Sequence, residues 1–184
     1  MAPFAVELSF DKALDHAVRE LWHRVDVMHP GSSLVAIAGV RPHVSLAVVD
    51  LPDVAPLVEI VHELRQEPFP LHFDVLGCFP ETGTLFVAPV YSDALRALHR
   101  CVQDSLMNFA AEISPYYRPD RWQPHCTLAI NADPQRLSQW LAALARDFAP
   151  RQGWAVEAGA VEVLSVQGAP VQTRPVASRP VRRP

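Results

Sequence analysis

"GVRPHVSLAVVD", residues 39–50, has the composition of a strand built for a core, yet it carries a histidine and a serine two residues apart. "RWQPHCTLAI", residues 121–130, repeats the pattern: Pro, His, any residue, a hydroxyl residue, Leu, Ala. In a strand, successive side chains point to opposite faces. His43 and Ser45 therefore share a face opposite Val44 and Leu46, and His125 and Thr127 share a face opposite Cys126 and Leu128. Each strand is expected to offer an imidazole and an alcohol side by side over an apolar back.

Working outward, "FAVELSF" (4–10) alternates and predicts a strand. Asp11 suits the N-cap of a helix over 12–25, with Ala13, Ala17, Leu21 and Val25 at helical spacing. After the first His string, Asp53 opens a helix over 54–67, and "FPLHFDVLGCF" (69–79) reads as a third strand. The order then restarts. "GTLFVAPV" (83–90) is a strand. Ser92 caps a helix whose apolar face is Leu95, Leu98, Val102 and Leu106. The second His string is a strand, Asn131 or Asp133 with Pro134 starts another helix, and "AVEVLSV" (160–166) closes the set. The expectation is an α+β chain of two pseudo-symmetric β-α-β-α-β lobes, roughly 1–80 and 81–170, with antiparallel sheets flanking a central cleft. Together they form one domain, residues 1–170. The tail, 171–184, is rich in Pro and Arg with little to bury, and is expected to be loosely ordered.

The chain has 184 residues, 49% hydrophobic and 20% charged, the balance of a globular rather than a disordered protein. Its formal net charge is −4 and Lys12 is the only lysine, so no global basic field draws it to a polyanion. An anion must be held by a local site. Cys78, Cys101 and Cys126 are too few and too irregularly spaced for a disulfide framework and read as reduced thiols. The opening "MAPFAVELSFDK" lacks the pattern of a secretory leader, and no apolar stretch approaches the ~20 residues of a membrane span. The expected location is the cytoplasm, with no membrane partner.

Two imidazoles and two alcohols around one centre fit phosphoester chemistry. Breaking a P–O bond needs a base for the incoming oxygen and an acid for the leaving one. An imidazole pKa of ~6.5 lets one ring be neutral and the other protonated near neutral pH. His43 and His125 are the candidate acid–base pair. Ser45 and Thr127 are candidate phosphate-binding donors. The chain has no HExxH, no His/Cys ligand spacing and no acidic cluster along the sequence beside either histidine, so neither a metal nor a cofactor is expected. Just before the second string, "SPYYRPDRW" (114–122) holds Tyr116, Tyr117, Arg118, Arg121 and Trp122. Aromatic faces stack on bases and arginines pair with phosphate. Arg41, Tyr117, Arg118, Arg121 and Trp122 are the candidate substrate contacts. The competing readings are structural histidines, aromatic loop packing, and a Cys126–His125 nucleophile pair, which alternation disfavours by turning the sulfur away. His16, His23, His62 and His99 fall on predicted helices and are expected at surface or boundary positions.

The paired H-x-[ST] strings resemble those of the 2H phosphoesterase superfamily. Within it, "RPHVSLAV", "YYRPDRWQPHCTLA" and the opening "FAVELSFDKALDHAVRELW" are similar to a bacterial 2′-5′ RNA ligase-like branch, over most of residues 4–167. The resemblance implies a bilobal α+β fold with the site between lobes. It also implies metal-independent cleavage of 2′,3′-cyclic phosphates, or cleavage and ligation of 2′-5′ linkages. It places the acid/base roles on His43 and His125 and phosphate binding on Ser45 and Thr127. Several RNA-acting relatives carry a basic residue where this chain has Ile130. The expected partner is a nucleotide or an RNA-terminus phosphodiester. Against this stand a non-catalytic module binding a nucleotide or RNA end in the same cleft, and a metal-dependent hydrolase using both histidines.

Overall fold

The computed structural model describes every residue except 1, 38, 65, 66, 109–111, 165–171 and 181–184. Its strands are β1 (Ala2–Phe10), β2 (His43–Leu51), β3 (Phe69–Phe79), β4 (Thr84–Pro89), β5 (Glu112–Ile113), β6 (Cys126–Ala129), β7 (Arg151–Leu164) and β8 (Gln172–Pro180). Its α-helices are α1 (Lys12–Met28), α2 (Ala55–Glu63), α3 (Asp93–Asn108) and α4 (Pro134–Ala145). The fold is α+β and every strand pairing is antiparallel. The helices start where the sequence signals them. Asp11 and Asp133 accept the amides of Leu14 and Arg136, and Ser92 accepts that of Leu95. Asp53 instead accepts Ala55 N–H at 2.7 Å, just before the first turn of α2.

The strand order is β5-β2-β1-β7-β3-β4-β6, with β8 also on β7. The long β7 joins everything: its start pairs with β3 and its continuation with β1. The two halves of the sequence are therefore interleaved. β3 finds its partners, β4 and β7, in the second half, and β1 finds β7 there too. The helices cross over in the same way. α1 packs on β6 and β7 and touches α4, whereas α3 packs on β2 and touches α2. Although β2 and β6 sit near opposite ends of the strand order, they lie against each other. That closure brings the two His strings together.

One continuous core holds these layers, with Trp22, Trp140, Phe73, Leu8 and Leu46 among its largest fully buried side chains. The apolar stripe of α1 lies one residue over from the sequence expectation. Leu14, Val18, Leu21, Trp22 and Val25 are buried, while Ala13 is exposed. Alanines suit either face, so the heavier residues decide which side turns inward. On α3 the stripe is as expected, but it includes two polar residues. His99 is fully buried rather than at a boundary, and Gln103 is 3% exposed. The tail departs further from expectation: Gln172–Pro180 forms β8, in register with β7 from Glu157↔Pro180 to Leu164↔Gln172. A ladder needs backbone rather than apolar side chains, and prolines are tolerated on edge strands. The end of the expected strand at 160–166 and the final tail residues lie outside the described residues.

Candidate active site

His43 and Ser45 lie on the half-exposed side of β2, with Val44 and Leu46 buried behind them. On β6 and the residue before it, His125 and Thr127 are half-exposed while Cys126 and Leu128 are buried. Alternation then breaks at the same place in both strings. Val6 pairs with Ala47 and Glu7 with Ser45, which leaves Leu46 as an extra residue in β2. Leu85 pairs with Ala129 and Phe86 with Thr127, which leaves Leu128 as the extra residue in β6. Each string thus carries a β-bulge directly after its hydroxyl residue. The bulge sends both Leu and Ala inward and bends the strand, the usual means of re-aiming side chains beside a site. The adjacent Leu-Ala pairs in the sequence are the trace of these bulges.

Side chains from the other half of the sequence brace each bulge. Trp122 Nε1 donates to the carbonyl of Ser45 at 3.0 Å, and Gln103 Nε2 donates to that of Leu46 at 3.0 Å. Reciprocally, Trp22 Nε1 on α1 donates to the carbonyl of Thr127 at 2.9 Å. A bulge disrupts the ladder locally, and a buried carbonyl left unpaired costs ~1–3 kcal/mol, so these bonds hold the strands in shape.

The imidazoles are fixed alike. Nδ1 of His43 is 2.7 Å from the carbonyl of Arg41, and Nδ1 of His125 is 2.7 Å from that of Gln123. A carbonyl only accepts, so each Nδ1 carries the proton and each Nε2 remains for chemistry. The surroundings differ. His125 sits against Phe79 (centroids 4.9 Å apart) and Phe86 (5.3 Å). Burial lowers its pKa below the ordinary imidazole value. The bond to Gln123 opposes this, and a charge on nearby His43 lowers it further. Phe86 can lie there because its partner residue is Gly77, where a Cβ would meet the Phe86 ring at 2.7 Å. His43 instead has the carboxylate of Glu7 at 3.4 Å from Nε2. Strand pairing thus sets an acid beside the first histidine, where the sequence alone suggested none.

The remaining candidates separate by environment. Tyr117, in a 3-10 turn at Pro115–Tyr117, hydrogen-bonds to the side chain of Ser45. Burial raises its pKa, the Ser45 bond pulls it partly back and Glu7 pushes it up, so the phenol stays a donor. Trp122 is 7% exposed, with its N–H committed to Ser45 and a ring face stacked on His99 at 3.7 Å. What it contributes here is support for β2. Arg118 and Arg121 are exposed, the latter over the ring of Tyr116 at 5.7 Å. Arg41 lies just ahead of β2, its guanidinium 3.6 Å from Glu157. Burial pushes the Cys126 thiol up to about 12, the backbone of His43 acting against it, so it is no thiolate nucleophile. Sequence reasoning missed Glu7, Phe79, Phe86, Trp22 and Gln103. Of these, Glu7 left a signal, a charge inside an alternating apolar strand.

Fold and site together define a class: an α+β protein with two H-x-[ST] strands set side by side, the arrangement of the 2H phosphoesterases. Residues 10–168 match the family model of the 2′-5′ RNA ligase superfamily, and the chain belongs to that family. Among solved structures, Escherichia coli LigT complexed with 3′-AMP aligns over 99% of each chain, with TM-score 0.69 and 15% identity. The protein TT0787 of Thermus thermophilus aligns over 98% of each, with TM-score 0.67 and 17% identity. The MHV ns2 PDE domain covers 73% of this chain and 86% of its own, with TM-score 0.50 and 17% identity. No curated protein matches the chain by sequence.

Proposed function

We propose that this chain is a metal-independent phosphodiesterase acting on a 2′,3′-cyclic phosphate or a 2′-5′ phosphodiester of a nucleotide or RNA end. In this reading His43 and His125 exchange protons with the attacking and leaving oxygens. Ser45, Thr127 and the Tyr117 phenol donate to the non-bridging phosphate oxygens. Arg41, Arg118 and Arg121 meet the rest of the substrate.

The observation that carries this reading is the matched pair of bulged strands. Each holds an imidazole by Nδ1, leaves Nε2 free of that backbone bond, and carries a hydroxyl residue two positions on, before the bulge. Family membership supports it, and so do the ligands of E. coli LigT, which has been crystallised with 3′-AMP, ATP and phosphate. Among the described residues no group of three or more His, Cys, Asp or Glu could hold a metal ion, and no helix is long and apolar enough to cross a membrane. A cytoplasmic location belongs to the same proposal, and so do two related lobes flanking the site, although strand pairing builds them by exchange between residues 1–80 and 81–170 rather than from each stretch alone.

Incubation with a 2′,3′-cyclic nucleotide in EDTA tests it. The wild type is expected to release the ring-opened monophosphate. His43→Ala and His125→Ala are each expected to lower kcat by ~10²–10⁴-fold with the fold retained. Near-wild-type turnover by either variant overturns the mechanism. Binding without turnover favours a non-catalytic module, and loss of activity in EDTA favours a metal-dependent hydrolase.

A further inference from the structure

Strand register carries the face of the imidazoles across the sheet to a tryptophan. Residues directly opposite in a ladder share a face. His43 stands opposite Ser9, and Ser9 opposite Glu157, so β2, β1 and β7 turn these three side chains the same way. The next pair, Phe10 with Ala155, turns to the core, Val156 being the extra residue of an irregularity in β7. Trp154 therefore returns to the face of His43. Gly153 fixes the parity, because a Cβ there would meet Leu14 of α1 on the opposite side. On β3, Pro70 and His72 stand opposite Trp154 and Gln152, and all four are exposed. Two strand spacings across a flat sheet and two residues along it separate Trp154 from His43 by about 12 Å.

The chain has four tryptophans, and three of them are buried. Trp154 is 47% exposed, so its indole forgoes burial that folding otherwise gains. Its neighbour on this face of β7, Glu157, holds the guanidinium of Arg41 at 3.6 Å, and the Arg41 side chain is 48% exposed. A guanidinium has five donors, and this contact leaves others for an anion. A flat aromatic face, an amide and an imidazole at its side, and a cation toward the phosphate site match a nucleoside with its phosphate. Continuity with His43 favours that occupant over a protein surface. The span of about 12 Å is more than separates a base from the phosphate on its own sugar, and it fits the base of the next nucleoside. Resting on the phosphodiesterase reading, we propose that Trp154 is the floor of a second subsite, which stacks the base of the nucleoside adjoining the one that carries the reacting phosphate. The substrate is then a strand end of two or more nucleosides rather than a mononucleotide, with Arg41 facing the linking phosphate.

The test compares kcat/KM on a 2′,3′-cyclic mononucleotide and on a dinucleotide ending in the same cyclic phosphate. The wild type is expected to favour the dinucleotide, and Trp154→Ala to lower that ratio about tenfold. Trp154→Tyr, which keeps an aromatic face, retains most of it. An unchanged ratio in a Trp154→Ala variant with a native circular dichroism spectrum overturns the subsite. A second arm needs no turnover. A deoxydinucleotide bearing a 3′-phosphate is expected to quench the tryptophan fluorescence of the wild type, and Trp154→Tyr to lose that quenching. Equal quenching in the variant overturns the proposal. So does wild-type emission that the dinucleotide leaves unmoved, including emission that shifts only with protein concentration, the mark of a contact between copies of the chain. Absence of ring opening on both substrates sinks the phosphodiesterase reading separately, because the fluorescence arm still decides the subsite.

Discussion

His99 carries a consequence for stability that neither string reveals. Its Nε2 donates to the carbonyl of Tyr117 at 2.9 Å, its ring stacks on Trp122, and its buried Nδ1 has no hydrogen-bond partner in the protein. Burial lowers its pKa to about 4, the Tyr117 bond opposing. The folded state therefore keeps the ring neutral where the unfolded chain, near 6.5, takes up a proton. Its contribution is fully present above 6.5 and is lost as pH falls from there through about 4, at a cost on the order of 2–3 kcal/mol. Urea midpoints measured down this range are expected to fall for the wild type. They should fall less steeply for His99→Gln, which keeps an N–H donor for Tyr117 without titrating. Equal slopes would show that other groups govern the acid limb.

At the scale of elements, the bulges at Leu46 and Leu128 depend on indoles from the opposite half of the sequence. Trp22→Phe and Trp122→Phe keep most of the ring and remove the donor. Each is expected to cost ~1–3 kcal/mol in chemical denaturation and to lower kcat more than it raises KM, because the strand carrying the hydroxyl loosens. Unchanged stability in both would deny the bracing role. Alternation placed the imidazoles and hydroxyls on common faces without coordinates, because period-2 geometry is local. The burial of His99 and Gln103 was not legible, although they follow Leu95 at successive four-residue steps, because polar side chains at that spacing read as boundary positions. The contact of Glu7 with His43 was not either, because it is made through strand register. Nor was β8, since composition speaks to side-chain burial and β8 is built by backbone pairing.

For the whole molecule, interleaving predicts that neither half folds alone. Cutting the turn after β3 leaves β1 without β7, and β3 without β4 or β7. Fragments 1–81 and 82–184 are each expected to lack a cooperative transition by circular dichroism and to recover one on mixing. A half that unfolds cooperatively alone would contradict this picture.

The exchange of indoles also bears on inheritance. A gene segment encoding either half, moved by recombination into another context, would carry its histidine and its alcohol but leave behind the tryptophan that props them. The two copies of the motif are thus bound to travel together, and variation in one is answerable to the scaffold of the other.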